Sequence, residues 1–181
     1  MTTSRLEATA SPARTGVWVG IAAITMSFTA YTSALIVRQG SGSDWQHVTL
    51  PRILFLNTLL LLVSSGTLET GRRRVAAGRT GGAWVAGTLA LGLAFLAGQL
   101  VAWRQLAAAG LYLSTNPASD FFYVVTALPG LHLLGGVAAL GWLVGRLRAA
   151  PAQAPMGAVA LYWHFMGVLW LYLLLILVTR L

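Results

Sequence analysis

Two histidines, His132 and His164, are the ionisable side chains that lie deepest within long apolar runs of this 181-residue sequence. An ionisable group in such a run is a functional hypothesis by itself. Counted along a helix, His132 lies roughly 16 Å below one membrane surface and His164 roughly 10 Å below the other. In a hydrocarbon slab about 30 Å thick those depths differ by about 4 Å. Two imidazoles at one level can hold a single haem iron, so a bis-histidine haem anchor is one reading. The other is structural, with neutral imidazoles donating to backbone carbonyls near Pro129 or beside Gly167. Asn57, Gln99 and Trp163 are neutral polar groups that would need partners in the same apolar surroundings.

Glu69 ends an apolar run and is followed by Arg72, Arg73 and Arg74. This spacing reads as an interfacial carboxylate screened by its own arginines, which also offer contacts for lipid headgroups. Other chemistry finds no residues to carry it. The sequence has no HExxH metal motif, no phosphate loop and no nucleophile–base–acid set. It has no cysteine, which excludes disulfides, thiolate metal sites and a thiol nucleophile. No Asp or Glu lies deep in an apolar run, as a proton-coupled transporter would need. We therefore expect neither a catalytic residue nor a metal in this chain.

The elements that must position these groups are membrane helices. The chain is 57% hydrophobic and 9% charged, far from the quarter charged that is usual for a soluble domain. Five runs are long enough to span: Gly16–Val37, Ile53–Thr70, Ala83–Trp103, Phe121–Gly145 and Gly157–Val178. Between them stand the breakers Gly40-Ser41-Gly42-Ser43, Gly78 with Gly81-Gly82, Asn116-Pro117, and Pro151 with Pro155. The runs are continuous rather than alternating, which fits helices and not barrel strands. The first is too long for the core of a cleaved signal peptide. The expected fold is an all-α bundle of five transmembrane helices, residues 16–181, after a cytoplasmic tail, residues 1–15.

All 12 basic residues are arginine, against four acids. One side of a five-span protein would carry Arg5, Arg14, Arg72, Arg73, Arg74, Arg79, Arg146 and Arg148. The other would carry Arg38, Arg52, Arg104 and Arg180. Arginine retained in the cytoplasm places the N-terminus inside and the C-terminus outside. The arginines serve membrane orientation, and no nucleic-acid partner is expected.

Within the third run Ala86, Ala90, Ala94, Gly98 and Ala102 recur every four residues, which reads as a seam of close helix packing. Thr25, Ser27, Thr29, Tyr31, Thr32 and Ser33 make the first run rich in hydroxyls, read as interhelical glue rather than a conduction path. Pro129 removes a backbone bond in the fourth run and should kink it. Trp163 and Trp170 share one face of the fifth.

These residues also form a recognisable series. Tyr162-Trp163-His164-Phe165-Met166-Gly167-Val168-Leu169-Trp170 resembles the Y-W-H-F-V-D-x-x-W signature of subunit III of the haem-copper respiratory oxidases. The stretch from Phe121 through Thr126 to Gly136 resembles that family's F-x-x-x-T-G-x-H-G-x-H-x-x-x-G segment. Phe95, Gln99 and Trp103 resemble its G-x-x-F-x-x-x-Q-x-x-E-W helix, and Leu56-Asn57-Thr58 with Ser64-Ser65-Gly66 its L-N-T…S-S-G helix. Gly16 to Arg38 fits the first helix of the five-helix bacterial form. The family's carboxylates fall here on Ile24, Ala102 and Gly167, and its first histidine on Pro129.

The resemblance implies a subunit without its own cofactor. Haem and copper would sit in the catalytic partner, subunit I, and phospholipids would bind between helices. It implies a bacterial inner-membrane respiratory complex that reduces oxygen and translocates protons. Loss of the three carboxylates puts a part in proton uptake in question. A five-helix accessory subunit of a nitric oxide reductase, or of another respiratory complex, shares the same motifs and is the alternative.

Overall fold

Each apolar run folds as a helix that continues past its hydrophobic stretch into the interfacial layer. The computed structural model describes residues 12–45, 48–113, 115–149 and 155–180. The helices are α1 (Pro12–Ser41), α2 (Ile53–Ala76), α3 (Gly82–Ala108), α4 (Pro117–Ala149) and α5 (Met156–Arg180), with no strand among the described residues. All five are long and apolar enough to cross a membrane. They exceed the expected spans because hydropathy marks the hydrocarbon slab, whereas backbone hydrogen bonding carries a helix on into the headgroup region. Of the expected tail, residues 12–15 are already helix, and residues 1–11 lie outside the described residues, as does Pro151.

The ends are set locally. Pro117 takes the first position of α4, where its missing N–H costs nothing. The Ser119 amide donates to Asn116 Oδ1 at 3.0 Å and the Asn116 amide to Ser119 Oγ at 3.2 Å, a reciprocal cap. α2 stops at Gly78 (φ +70°) and α3 at Gly110 (φ +78°), the left-handed conformation that glycine adopts without strain. In both stops the next residue reaches back: Arg79 N–H to Arg74 O at 2.8 Å, and Leu111 N–H to Leu106 O at 3.1 Å. The α4 helix runs unbroken through Pro129.

The α5 helix is the spine. It packs against α1, α2 and α4, and α3 closes the bundle against α2 and α4. Its inward face is buried from Met156 to Leu177. Outward faces are aliphatic, with Leu59, Leu62, Leu93, Leu131 and Leu134 exposed, as a bilayer requires.

Two sequence expectations need correction. The small-residue stripe of α3 is not its seam. Ala102 is buried, Ala86 and Gly98 are half-buried, and Ala90 and Ala94 are exposed. The buried face is Val85, Thr88, Gly92, Phe95, Gln99, Ala102 and Leu106. A spacing of four drifts about 40° per step around a 3.6-residue helix, so the stripe turns through about 160° from Ala86 to Ala102 and cannot stay on one face. Four of the α1 hydroxyls are likewise not glue: Thr25, Ser27, Thr29 and Thr32 donate to the carbonyls of Ile21, Ala23, Thr25 and Phe28 in their own helix, and among the described residues no hydrogen bond from another helix reaches them.

Candidate functional site

Three indoles tie the helices together from inside. Trp163 of α5 is fully buried, and its Nε1 donates to Ser64 Oγ of α2 at 3.0 Å. Its ring lies on two glycines. A Cβ on Gly92 of α3 would stand 2.7 Å from the ring, and one on Gly136 of α4 would stand 3.2 Å from it. Two turns along α5, the Trp170 Nε1 donates to Thr58 Oγ1 at 3.0 Å, and its ring meets Phe95 edge-on at 4.9 Å. The third, Trp103 of α3, donates to Thr126 Oγ1 of α4 at 2.9 Å. Trp163 and Trp170 are buried and Trp103 half-buried; each ring gains contact area and still satisfies its single donor. Sequence reasoning had placed Trp163 and Trp170 on one face but missed Ser64, Thr58 and Thr126 as their acceptors. The serine and threonine of the L-N-T…S-S-G helix were the available signal.

Asn57 and Gln99 are buried near this seam. Asn57 lies against Gly98, where a Cβ would collide with its amide. The side-chain oxygen and nitrogen of both residues have no hydrogen-bond partner among the described residues. Each such group costs stability in an apolar interior.

The two histidines meet different neighbours. His132 is half-buried; its Nδ1 lies 2.8 Å from the Leu128 carbonyl one turn back, and its ring meets Phe28 of α1 at 6.1 Å. Tyr162 Oη donates to the His132 carbonyl at 2.9 Å, linking α5 to α4. His164 stands instead at the rim, with Nε2 4.0 Å from Glu69 Oε2 of α2. The structure gives the pair no common contact that would serve one iron, and it favours the carbonyl-bonded reading for His132. No cluster of three or more His, Asp or Glu able to hold a metal occurs among the described residues.

Glu69 is the centre of that rim. Arg72 grips it through Nε and Nη2, both at 2.7 Å, and Arg73 Nε adds a third contact at 2.7 Å. Bidentate guanidinium–carboxylate pairing of this kind is directional and strong. Arg74 turns away and lies over the Trp84 ring at 5.5 Å, a cation–π arrangement. One acid paired with two arginines, with Arg74 turned to Trp84, leaves the rim positive. It can hold an anion by charge and hydrogen bonding, and it offers no nucleophile.

The family model for cytochrome c oxidase subunit III matches residues 17–179 of this chain. A probable cytochrome c oxidase subunit 3 of Mycobacterium tuberculosis is 34% identical over 122 residues, which cover 64% of this chain and 60% of that protein. The cytochrome c oxidase subunit 3 of Thermostichus vulcanus is 29% identical over 177 residues, covering 91% of this chain and 87% of that protein. The corresponding protein of Corynebacterium diphtheriae is 32% identical over 144 residues, covering 73% and 68%. The matched part therefore spans about three-fifths of the mycobacterial relative. This chain belongs to the cytochrome c oxidase subunit III family, and it is a multi-pass membrane protein. Ile24 and Ala102, where the family resemblance points to carboxylates, are buried and apolar. Gly167, the third such position, is buried against α2 near Ser65.

Proposed function

We propose that this member of the subunit III family is the non-catalytic subunit of a bacterial terminal oxidase in the plasma membrane. It packs on the catalytic subunit I, which holds the haem and copper, and it retains phospholipids at its surface. Its N-terminus faces the cytoplasm, so the Arg72–Arg74 rim meets the inner leaflet. The assembled complex passes electrons to oxygen and moves protons; this chain supplies a rigid, lipid-bearing buttress.

The observation that carries this reading is the α5 seam. Trp163 and Trp170 bury their rings and bond their N–H groups to Ser64 and Thr58, while the family's acid positions are filled by Ile24, Ala102 and Gly167. That interior is built for shape, with no buried carboxylate among the described residues. The rim of Glu69, Arg72, Arg73 and His164 supports a role at the headgroup layer, where cationic side chains bind anionic surfaces. His132 acts as an internal polar anchor, its ring on the Leu128 carbonyl and its own carbonyl accepting from Tyr162.

The test is purification of a tagged chain from its native membrane, followed by mass spectrometry and an optical spectrum. The expected product is a complex containing a haem-copper catalytic subunit, whose haem bands stay with that subunit when the complex is dissociated. Recovery with a nitric oxide reductase, or a Soret band that stays with this chain and is lost in His132→Ala, would overturn the proposal.

A further inference from the structure

Beside the turn of α4 that holds Pro129, a cleft of about 450 Å³ opens between α3 and α4. Leu100, Leu131 and Leu134 form its exposed lip. Through Trp103, Ala127 and Leu128 it joins a second hollow of about 280 Å³ that continues past Tyr123 and Val124. No charged side chain lines either space among the described residues. The Trp103 Nε1 is already bonded to Thr126 Oγ1, and the Tyr123 Oη to the Leu111 carbonyl. Gln99 differs. It forms part of the cleft wall, is only 3% exposed, and its amide oxygen and nitrogen have no hydrogen-bond partner among the described residues. Across from it the α4 backbone is bare at Gly130, where an added Cβ would meet nothing within 4 Å.

We infer that this cleft binds a prenylquinone, with the carbonyl-bearing ring beside Gly130 and a ring oxygen bonded to the Gln99 amide. An unpaired amide in an apolar wall is a standing cost. The Gln99 stem has two methylenes, so the amide turns toward the cleft by a change of rotamer, and it gives up no hydrogen bond in doing so. It carries both a donor and an acceptor, which serve a quinone carbonyl through Nε2 and a quinol hydroxyl through Oε1. A phosphate or carboxylate would be desolvated here with no cation to meet it. A plain acyl chain would leave the amide unpaired. A flat ring fits a helix backbone bare of side chain, and the second hollow takes the first isoprene units. The site lies on α3 and α4, apart from the Glu69 rim, and goes beyond the buttress role proposed above.

The test uses the complex purified with this chain, reconstituted in phosphatidylcholine nanodiscs and photolabelled with an azido-menaquinone. Peptide mapping is expected to place the label on this chain within residues 96–103 and 127–134. Unlabelled menaquinone competes, whereas diacylglycerol and phosphatidylglycerol do not. Gly130→Leu fills the cleft and abolishes the label. Gln99→Leu keeps the volume and removes the amide, and the affinity falls about fivefold, the worth of one net hydrogen bond. Gly141→Leu makes the same change at another open position of α4 and leaves labelling as in the wild type. Label confined to other segments, equal competition by diacylglycerol, or undiminished affinity in Gln99→Leu would overturn the inference. Gln99→Leu decides the matter by itself if Gly130→Leu fails to assemble. Oxidase subunits are expected to copurify with both variants, so failure of this site and failure of the subunit assignment are read separately.

Discussion

The α1 and α2 helices carry the same kind of hydroxyl and use it differently. In α1, Thr25, Ser27, Thr29 and Thr32 each donate to a carbonyl of their own helix, and no donor from another helix meets those oxygens among the described residues. In α2, Thr58 and Ser64 make the same local bonds, to Leu54 and Leu61, and each oxygen then accepts an indole N–H from α5. Back-bonding uses the hydroxyl proton and leaves the lone pairs free. Whether a hydroxyl joins two helices depends on what faces it. α2 lies in the core against α3 and α5, whereas α1 sits at the periphery with the smallest buried share of the five spans.

The contrast can be broken most forcefully at the indole. Trp163→Ala empties a space between α2, α3 and α4, and we expect a loss of about 3–5 kcal/mol in unfolding from mixed micelles. An effect below that of an ordinary surface substitution would contradict the seam. Next, Gly92→Leu forces a side chain into the Trp163 ring, where the Cβ alone would stand at 2.7 Å; the expected cost is about 1–3 kcal/mol in the same assay. Ser64→Ala removes only the acceptor of the indole N–H, and interhelical hydrogen bonds in membranes average about 0.6 kcal/mol with a maximum near 1.7. A double-mutant cycle of Ser64→Ala with Trp163→Phe should recover that coupling. The smallest change belongs to Ser27→Ala in α1, expected within about 0.5 kcal/mol of wild type. If Ser27 and Ser64 proved equally costly, the difference between the two helices would be lost.

Fold class and element order were legible in the sequence because an apolar run of about 20 residues has one outcome in a bilayer. Helix ends were less so, since α2 continues to Ala76 and α3 to Ala108, past the expected Thr70 and Trp103, where hydropathy no longer marks the helix. The α3 seam was misread because a regular small-residue spacing was taken for a face, while the true face mixes Val85, Thr88, Gly92 and Phe95. A face holding a glycine beneath an indole becomes visible only when α5 is in place. Of the site, Trp163 and the Arg72–Arg74 cluster could be picked out by type and position. Glu69 was legible beside those arginines by spacing alone, and it pairs with Arg72 and Arg73; Ser64, the partner of Trp163, gains meaning only from a contact across helices.

We propose that α5 is the spine on which the bundle is assembled and through which it supports an oxidase. The most direct measurement is oxidase content and oxygen turnover in membranes of cells whose chain ends before Tyr162, which removes Trp163 and Trp170 together. The account predicts that the oxidase is recovered in low yield and that the shortened chain does not copurify with it. Wild-type oxidase content and turnover, with the shortened chain still bound, would contradict it.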